Sequence, residues 1–129
     1  MVIKEYFKDA ELSCRCGCGL LPPVESVERL YALRMLYKKP MVINSAARCA
    51  AHNKKVGGAA GSTHLPAKDR TGESAKWGGA GFEIRVGSVQ ESAELEYHAR
   101  QCGFKGIGRA ANFLHIDDAN RPVVTVWPY

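Results

Sequence analysis

The chain has 129 residues, of which 46% are hydrophobic and 24% charged, with a formal net charge of +5. This composition is typical of one folded globular domain over residues 1–129, and it excludes a disordered chain and one that spans a membrane. The positive charge favours an anionic partner, but the basic residues are scattered without interleaved aromatics, so we predict no nucleic-acid partner. The start, MVIKEYFKDAEL, lacks the features of a signal peptide, and we expect synthesis in the cytoplasm.

Five cysteines are present, and three of them fall in one glycine-containing segment, SCRCGCG, that begins at Ser13. Thiolates this close favour a structural zinc site completed by a cysteine farther along the chain, although alternate-residue spacing differs from the usual C-x2-C pattern. Reduced cysteines in a tight turn, or disulfides, are the alternatives that the sequence leaves open. The residues concerned are Cys14, Cys16, Cys18 and Cys49, with Cys102 as the fifth.

The first long helix is predicted over Val24 to Lys39, because apolar side chains recur there at helical spacing after two prolines. Pro40 ends this helix. A short buried strand follows over Met41 to Ser45, and then a loop or short helix leads to a turn at Gly57 and Gly58. Because loops after strands commonly carry function, the segment after this strand is a candidate site region.

The segment GFEIRV predicts a second strand, since its apolar residues alternate with Glu83 and Arg85. The carboxylate of Glu83 is then held on a rigid element and points away from the core. Ser88 and Glu91 form a capping-box signature at the start of the second long helix, and Gly103 ends that helix.

Another strand is predicted for FLHID, in which His115 and Asp117 share one face. A turn at Asp118 leads to a further strand over Val123 to Trp127. Together the elements predict an α+β fold, with a small antiparallel sheet that carries the candidate site and packs against two main helices.

Two of the four histidines have contexts that favour metal binding. His64 lies in a polar loop, GSTHL, and His115 lies on the apolar strand, where a metal would supply the partner that a buried nitrogen needs. With Glu83 they form a candidate zinc site of two histidines and one carboxylate. The alternative for each histidine is a hydrogen-bonded structural imidazole, and we assign that role to His52 and His98.

Several motifs occur in a specific order along nearly the whole chain: FKDAELSCRCGCG, then SAARC, HN, VGG and STH, and finally GIGRAANFLHIDD. In this combination the sequence resembles the zinc D-alanyl-D-alanine carboxypeptidase-like peptidases of the lysostaphin/D-Ala-D-Ala/hedgehog-type superfamily, especially the small endolysin-like versions from phages. The resemblance implies a monomeric hydrolase with Zn²⁺ as cofactor. Its substrate would be the peptide stems of peptidoglycan, cleaved by a carboxypeptidase or an endopeptidase in cell-wall lysis.

The resemblance also implies roles for individual residues. His64 falls in the family's Ser-x-His motif and His115 in its late His-x-Asp motif, and both would bind zinc. Arg48 ends the Ser-x-x-Arg segment and would hold a carboxylate of the substrate, for which an arginine fork is better suited than lysine. Ser62 would support the His64 loop by hydrogen bonding.

The third metal ligand departs from the family pattern. The family continues from Ser-x-His into Gly-x-Ala-x-Asp, but here LPAKDRTGESAKW intervenes and the motif reappears as GAGFE, with Glu83 in place of aspartate. The extra methylene moves the oxygen by about a bond length, against a tolerance of about 0.2 Å. We prefer Glu83 to the rival Asp69, because Glu83 lies on a predicted strand and Asp69 in a polar insertion. We expect that insertion to be a surface loop beside the cleft, and a substrate lid is one role open to it.

Zinc with three protein ligands keeps a position for water and lowers its pKa, so a peptidase needs a nearby proton acceptor. Asp117 is the nearest candidate, either as the general base or as a partner that orients His115, and the sequence leaves both roles open. Where family enzymes often carry the base, this chain has Asn112.

The sequence does not decide whether the cleaved bond is that of D-Ala-D-Ala, that of L-Ala-D-Glu or one in a cross-bridge. We expect action on the cell wall after phage-type release through a holin, or as a virion component. A non-catalytic, zinc-stabilised module that binds the wall or builds the phage is the alternative, favoured by Glu83 and Asn112. In a third hypothesis the cysteines form a metal or redox module, so that mutation of Cys14, Cys16 and Cys18, but not of His64, abolishes function.

Overall fold

The computed structural model describes residues 6–129. The first five residues, which belong to the start for which we predict no signal peptide, lie outside the described part. The helices of this part are α1 (Asp9–Leu12), α2 (Val24–Tyr37), α3 (Ala50–Lys55) and α4 (Val89–Gln101). Its strands are β1 (Ile43–Ser45), β2 (Gly81–Arg85), β3 (Gly106–Arg109), β4 (Phe113–Asp117) and β5 (Thr125–Pro128). The α+β prediction is confirmed.

The strands form one sheet in the order β1-β2-β4-β3-β5. All neighbouring pairs are antiparallel except β3 and β5, which run parallel. This parallel pair departs from the predicted antiparallel sheet, because the chain after β4 crosses β3 and adds β5 at the far edge. The central strand is β4, so its side chains are covered by neighbours on both sides.

One face of the sheet forms the hydrophobic core. Its fully buried members on β2 and β4 alternate with polar residues, as the period of two predicts. Both long helices contribute to the same core, and each buried leucine or isoleucine stabilises the fold by roughly 1.5–3 kcal/mol. Fully buried side chains of this core include Phe82, Ile84, Ile107, Leu114 and Ile116 from the sheet, and Leu30, Leu33 and Leu95 from the helices.

Element boundaries differ from the predicted ones in a few places. Helix α2 ends at Tyr37, before Pro40 is reached, because Lys38 adopts a left-handed conformation (φ 64°) and its N–H bonds to the Arg34 carbonyl. Strand β1 includes only the last part of the predicted Met41–Ser45 segment. Strand β3 is not predicted, since glycines alternate with its other residues and give no apolar pattern.

In the described chain no helix has the length and apolar character that crossing a membrane requires.

Candidate metal centre and substrate cleft

A cleft of ≈ 690 Å³ opens on the face of the sheet opposite the core. Strand alternation turns Glu83 and His115 to this face, and the register of β2 and β4 places the two residues directly opposite each other. Directly opposed residues have Cβ atoms about 4.5–5.5 Å apart, close enough to share one ligand. The cleft is lined by Arg48, His64, Glu83, His115, Arg121 and Trp127, among others.

His64 reaches the cleft from a loop that lies along the start of β2. The loop is held to its neighbours by two backbone hydrogen bonds, from Gly81 N–H to the Thr63 carbonyl (2.8 Å) and from Arg48 N–H to the His64 carbonyl (2.9 Å). Gly81 is required for this approach, because a Cβ there would lie 2.5 Å from Thr63 Oγ1 and 2.9 Å from His115 Cε1. The rings of His64 and His115 are thereby brought to a centroid distance of 5.3 Å.

Each histidine has one ring nitrogen engaged and one without a partner. His64 Nδ1 lies 2.6 Å from the Ala46 carbonyl, and His115 Nε2 lies 2.8 Å from Asp117 Oδ2. The other nitrogens, His64 Nε2 and His115 Nδ1, are buried without a hydrogen-bond partner among the described residues. A buried polar atom left unpaired costs about 1–3 kcal/mol, which a bound metal removes.

The third donor of the candidate set is Glu83, whose Oε2 lies 3.4 Å from the free Nε2 of His64. Burial lowers the pKa of His64, which keeps the imidazole neutral and able to bind a metal. Burial raises the pKa of Glu83, but the neighbouring His64 and Arg48 lower it by more, so the carboxyl group is ionised. Two imidazoles and a carboxylate are a donor set that suits zinc, and on this chemistry the residues fit the ion.

Asp69 lies away from this donor set. It belongs to a short 3₁₀ turn, Ala67–Asp69, is exposed, and lies 4.0 Å from Lys68 Nζ. The structure therefore places Glu83, and not Asp69, beside the two histidines.

Arg48 lies at the edge of the cleft with its guanidinium held in place. It donates to Glu83 Oε2 (3.2 Å) and to Asn53 Oδ1 (2.9 Å), and its Nε donates to Ser45 Oγ (3.3 Å). Because three partners fix the plane of the fork, a carboxylate in the cleft would meet a cation that is already oriented.

Asp117 is completely buried and fully engaged. Arg121 donates to both of its oxygens (2.9 and 2.7 Å), His115 contacts Oδ2, and Thr63 Oγ1 donates to the same oxygen at 3.3 Å. Burial raises the pKa of Asp117, but hydrogen bonds from His115 and Arg121 lower it by more, to about 2. A carboxylate this weakly basic and this well occupied favours the role of orienting His115 over that of general base.

Two arginines that no sequence pattern indicates support the site. Arg121 links Asp117 to a pair of aromatic rings, since its guanidinium carbon lies 4.9 Å from the ring centroids of both Trp77 and Trp127. Only the turn after β4 brings these groups together, and no local pattern in the sequence signals it.

The second is Arg70, which lies in the polar insertion. Its side chain is buried and donates five hydrogen bonds to backbone carbonyls, at 2.7–3.2 Å. Burial lowers the pKa of Arg70, and the nearby carboxylates of Asp117 and Asp118 oppose this shift. The acceptors are Thr63, Leu65, Ser74, Gly78 and Gly79. The insertion is a surface segment, as expected, since Lys68, Asp69 and Glu73 are exposed, but Arg70 also ties it to the His64 loop. The role of a lid stays a prediction.

The remaining candidates take varied positions. Ser62 Oγ accepts a hydrogen bond from the His64 backbone N–H (3.2 Å), which matches its predicted supporting role. His98 Nδ1 contacts the Glu94 carbonyl at 2.8 Å, away from the cleft, and His52 lines the cleft. The structural role of His52 stays a prediction. Asn112 is exposed in the turn before β4.

Comparison with known proteins adds a family match. The model of the family described as Peptidase M15 matches residues 5–117, which is most of the chain. A search of curated proteins found no match, and neither did a search of solved structures.

Proposed function

The chain belongs to the Peptidase M15 family, and from this premise we propose that it is a zinc peptidase that cleaves the peptide stems of peptidoglycan. The observation that carries the proposal is a pair of buried nitrogens without a hydrogen bond among the described residues, His64 Nε2 and His115 Nδ1. The first of them lies 3.4 Å from the ionised carboxylate of Glu83. Such a set in an open cleft matches a catalytic metal site with three protein ligands.

His64, His115 and Glu83 would hold the ion. Bound zinc supplies Lewis acidity, which polarises a carbonyl group and makes water acidic enough to be deprotonated near neutral pH. The protein's own contribution is to fix the ligands before substrate arrives. The Ala46 carbonyl and the Asp117 carboxylate each accept from the far nitrogen of one histidine, so both rings present a lone pair to the same space.

Arg48 would bind a carboxylate of the substrate. Stem peptides of peptidoglycan carry free carboxylates, and a fork that is already held by Asn53 and Ser45 loses little freedom when it binds one. A bound substrate carboxylate would share the Arg48 guanidinium with Glu83, whose Oε2 lies 3.2 Å from Arg48 Nη2. The net charge of +5 adds a weaker, long-range attraction to an anionic wall.

We further propose an endolysin-like role for a monomer. The protein would act on the wall after phage-type release from the cytoplasm, or from outside as a virion component. This part of the proposal rests on the resemblance of the motifs to the small phage versions of the family. Both a carboxypeptidase and an endopeptidase are compatible with a cleft that is open along the sheet.

A non-catalytic, zinc-stabilised wall-binding or phage structural module is the second candidate. The observation in its favour is the shortage of proton acceptors: among the described residues that line the cleft, Glu83 is the one carboxylate, and it belongs to the candidate ligand set. Asp117 is occupied by Arg121, which leaves His52 as the remaining imidazole on the cleft wall.

Digestion of purified peptidoglycan separates the two candidates. Zinc-loaded protein should release new amino and carboxyl termini, and mass spectrometry of the fragments identifies which bond is cut. His115→Ala should release none, whereas His98→Ala, which removes a histidine outside the cleft, should behave as the wild type. If the wild type sediments with the wall but yields no more termini than His115→Ala, the peptidase proposal is rejected in favour of the binding module.

A further inference from the structure

Four cysteines from two distant parts of the chain come together on the outside of the molecule. The ligand atoms of Cys14, Cys16, Cys18 and Cys49 all lie within 4.8 Å of one another. The four thiols are free, and they lie outside the cleft formed by the histidines and Glu83. The proposed peptidase chemistry makes no use of them.

The spacing of the sulfur atoms is that of a tetrahedral metal site. The Sγ atoms of Cys14 and Cys16 are 3.4 Å apart, those of Cys14 and Cys49 are 3.8 Å apart, and those of Cys16 and Cys49 are 3.7 Å apart. Four sulfurs placed at about 2.3 Å from a central zinc ion are separated from one another by about 3.8 Å. The cluster therefore matches a set of ligands arranged around a shared centre.

The backbone holds this arrangement independently of any ion. Gly17 (φ 87°) and Gly19 (φ 84°) adopt left-handed conformations that fold the segment back on itself, so that the Cys14 N–H reaches the Leu20 carbonyl (2.9 Å). Arg15 fastens the same segment to the sheet, because its guanidinium donates to the Ile43 carbonyl (3.1 Å).

Two backbone N–H groups also point at the sulfurs. The Cys49 N–H donates to Cys14 Sγ (3.3 Å), and the His52 N–H donates to Cys49 Sγ (3.4 Å). Donors of this kind stabilise the thiolate form, which is the form that binds metals. Cys14 is buried while Cys16 and Cys18 are exposed, so an ion can enter from solvent and still be anchored at the interior side.

We propose that Cys14, Cys16, Cys18 and Cys49 bind a second zinc ion, which has a structural role and is separate from the ion of the cleft. Binding joins the cysteine segment to Cys49, the residue that caps α3 and follows Arg48 directly. The second ion would thus stabilise the position of Arg48 at the edge of the cleft.

The metal content of the full chain tests the proposal. Purified under reducing conditions with excess zinc and then desalted, the wild type should retain two zinc ions per chain in elemental analysis and native mass spectrometry. Cys16→Ser/Cys18→Ser should retain one, and because both side chains are exposed, the substitutions disturb little packing. Cys102→Ser, which alters the cysteine outside the cluster, should retain two. His64→Ala/His115→Ala should retain one.

Cobalt gives a second measurement that needs no cysteine variant. Cobalt-loaded wild type should show the intense sulfur-to-cobalt charge-transfer absorption of a tetrahedral thiolate site, and His64→Ala/His115→Ala should keep it. One zinc ion lost with the histidines and no such absorption would overturn the second site and leave the proposed function standing. If instead Cys16→Ser/Cys18→Ser loses one ion and His64→Ala/His115→Ala loses none, the second site is supported and the proposed function is rejected. Iron in place of zinc, or a disulfide to Cys49 in non-reducing peptide maps, would also overturn the proposal.

Discussion

The two histidines of the cleft are held in different ways. His115 lies on the central strand of the sheet, where the ladder with β2 and β3 fixes its backbone. His64 lies on an irregular loop, and the buried side chain of Arg70 donates hydrogen bonds to the carbonyls of Thr63 and Leu65 on either side of it. Regular pairing thus supports the strand half of the site, at His115, whereas a few individual hydrogen bonds and one buried side chain support the loop half, at His64. The loop half should therefore be the easier half to break.

The largest effect should come from removing either histidine. His64→Ala and His115→Ala should each lower kcat/KM on peptidoglycan peptides by about 10³-fold or more, because a site without its metal loses several kcal/mol of transition-state stabilisation. Hydrolysis rates at saturating zinc measure this. A large residual activity in His64→Ala alone would mean that the loop half is dispensable and that the site is misassigned.

Removing Arg70 tests the support of the loop half. Arg70→Ala removes five hydrogen bonds to backbone carbonyls, and among the described residues only those of Thr63 and Ser74 keep another backbone donor. We expect a loss of about 3–5 kcal/mol in the free energy of unfolding. Urea denaturation measures the change. Lys68→Ala, in the same insertion but exposed, should cost no more than about 0.5 kcal/mol. Equal midpoints for the two variants would contradict the supporting role of Arg70.

The strand half is tested through Asp117. Asp117→Asn keeps the shape of the side chain but weakens its hold on His115 Nε2, and we expect zinc affinity to fall about 10–100-fold. Competition with a metal chelator gives the affinity. Asp69→Asn should leave it unchanged, because Asp69 lies outside the donor set. A larger loss in Asp69→Asn than in Asp117→Asn would restore Asp69 as the third ligand.

The smallest effect concerns the link between the sheet and α4. Glu96 accepts from Arg109 of β3 at two 2.8 Å contacts and from Arg100, and these arginines lower its pKa despite burial. A lowered pKa means that the stabilisation is fully present above the ordinary value of 4.5 and is lost as pH falls through the folded value.

Glu96→Gln should therefore cost about 1 kcal/mol at neutral pH, since the Arg109 partner is largely exposed, and nothing in strong acid. Unfolding free energies of both proteins across the acid range give the difference. Glu94→Gln, which removes an exposed pair with Lys39 on the same helix, should have a smaller effect at every pH. A difference for Glu96→Gln that persists at low pH would argue against the ionised carboxylate as its source.

The strand half was open to prediction from sequence because its signals are local. Alternation in GFEIRV and FLHID placed Glu83, His115 and Asp117 on one face, and the capping-box signature placed the start of α4. Both depend on spacing within a few residues, which is what a sequence displays directly. Motif resemblance then related His64 and Arg48 to the same site.

The contacts that hold the loop half in place were not open to prediction, because they are long-range and several are made by single side chains. Nothing near Arg70 in the sequence separates a buried arginine with five acceptors from an exposed one, and the polar insertion resembled a solvent loop. Arg121 was equally hidden, since its contact with Asp117 depends on the turn after β4. The parallel addition of β5 also depends on the path of the whole chain.

The arginine that holds Asp117 gives the protein an optical reporter. The chain has two tryptophans, and the ring centroids of both, Trp77 and Trp127, lie 4.9 Å from the guanidinium carbon of Arg121. Indole emission responds to nearby charge and to solvent access. Ion loading or occupancy of the cleft should therefore change the intrinsic fluorescence of the unlabelled protein, and a titration followed in this way needs neither substrate turnover nor an added dye.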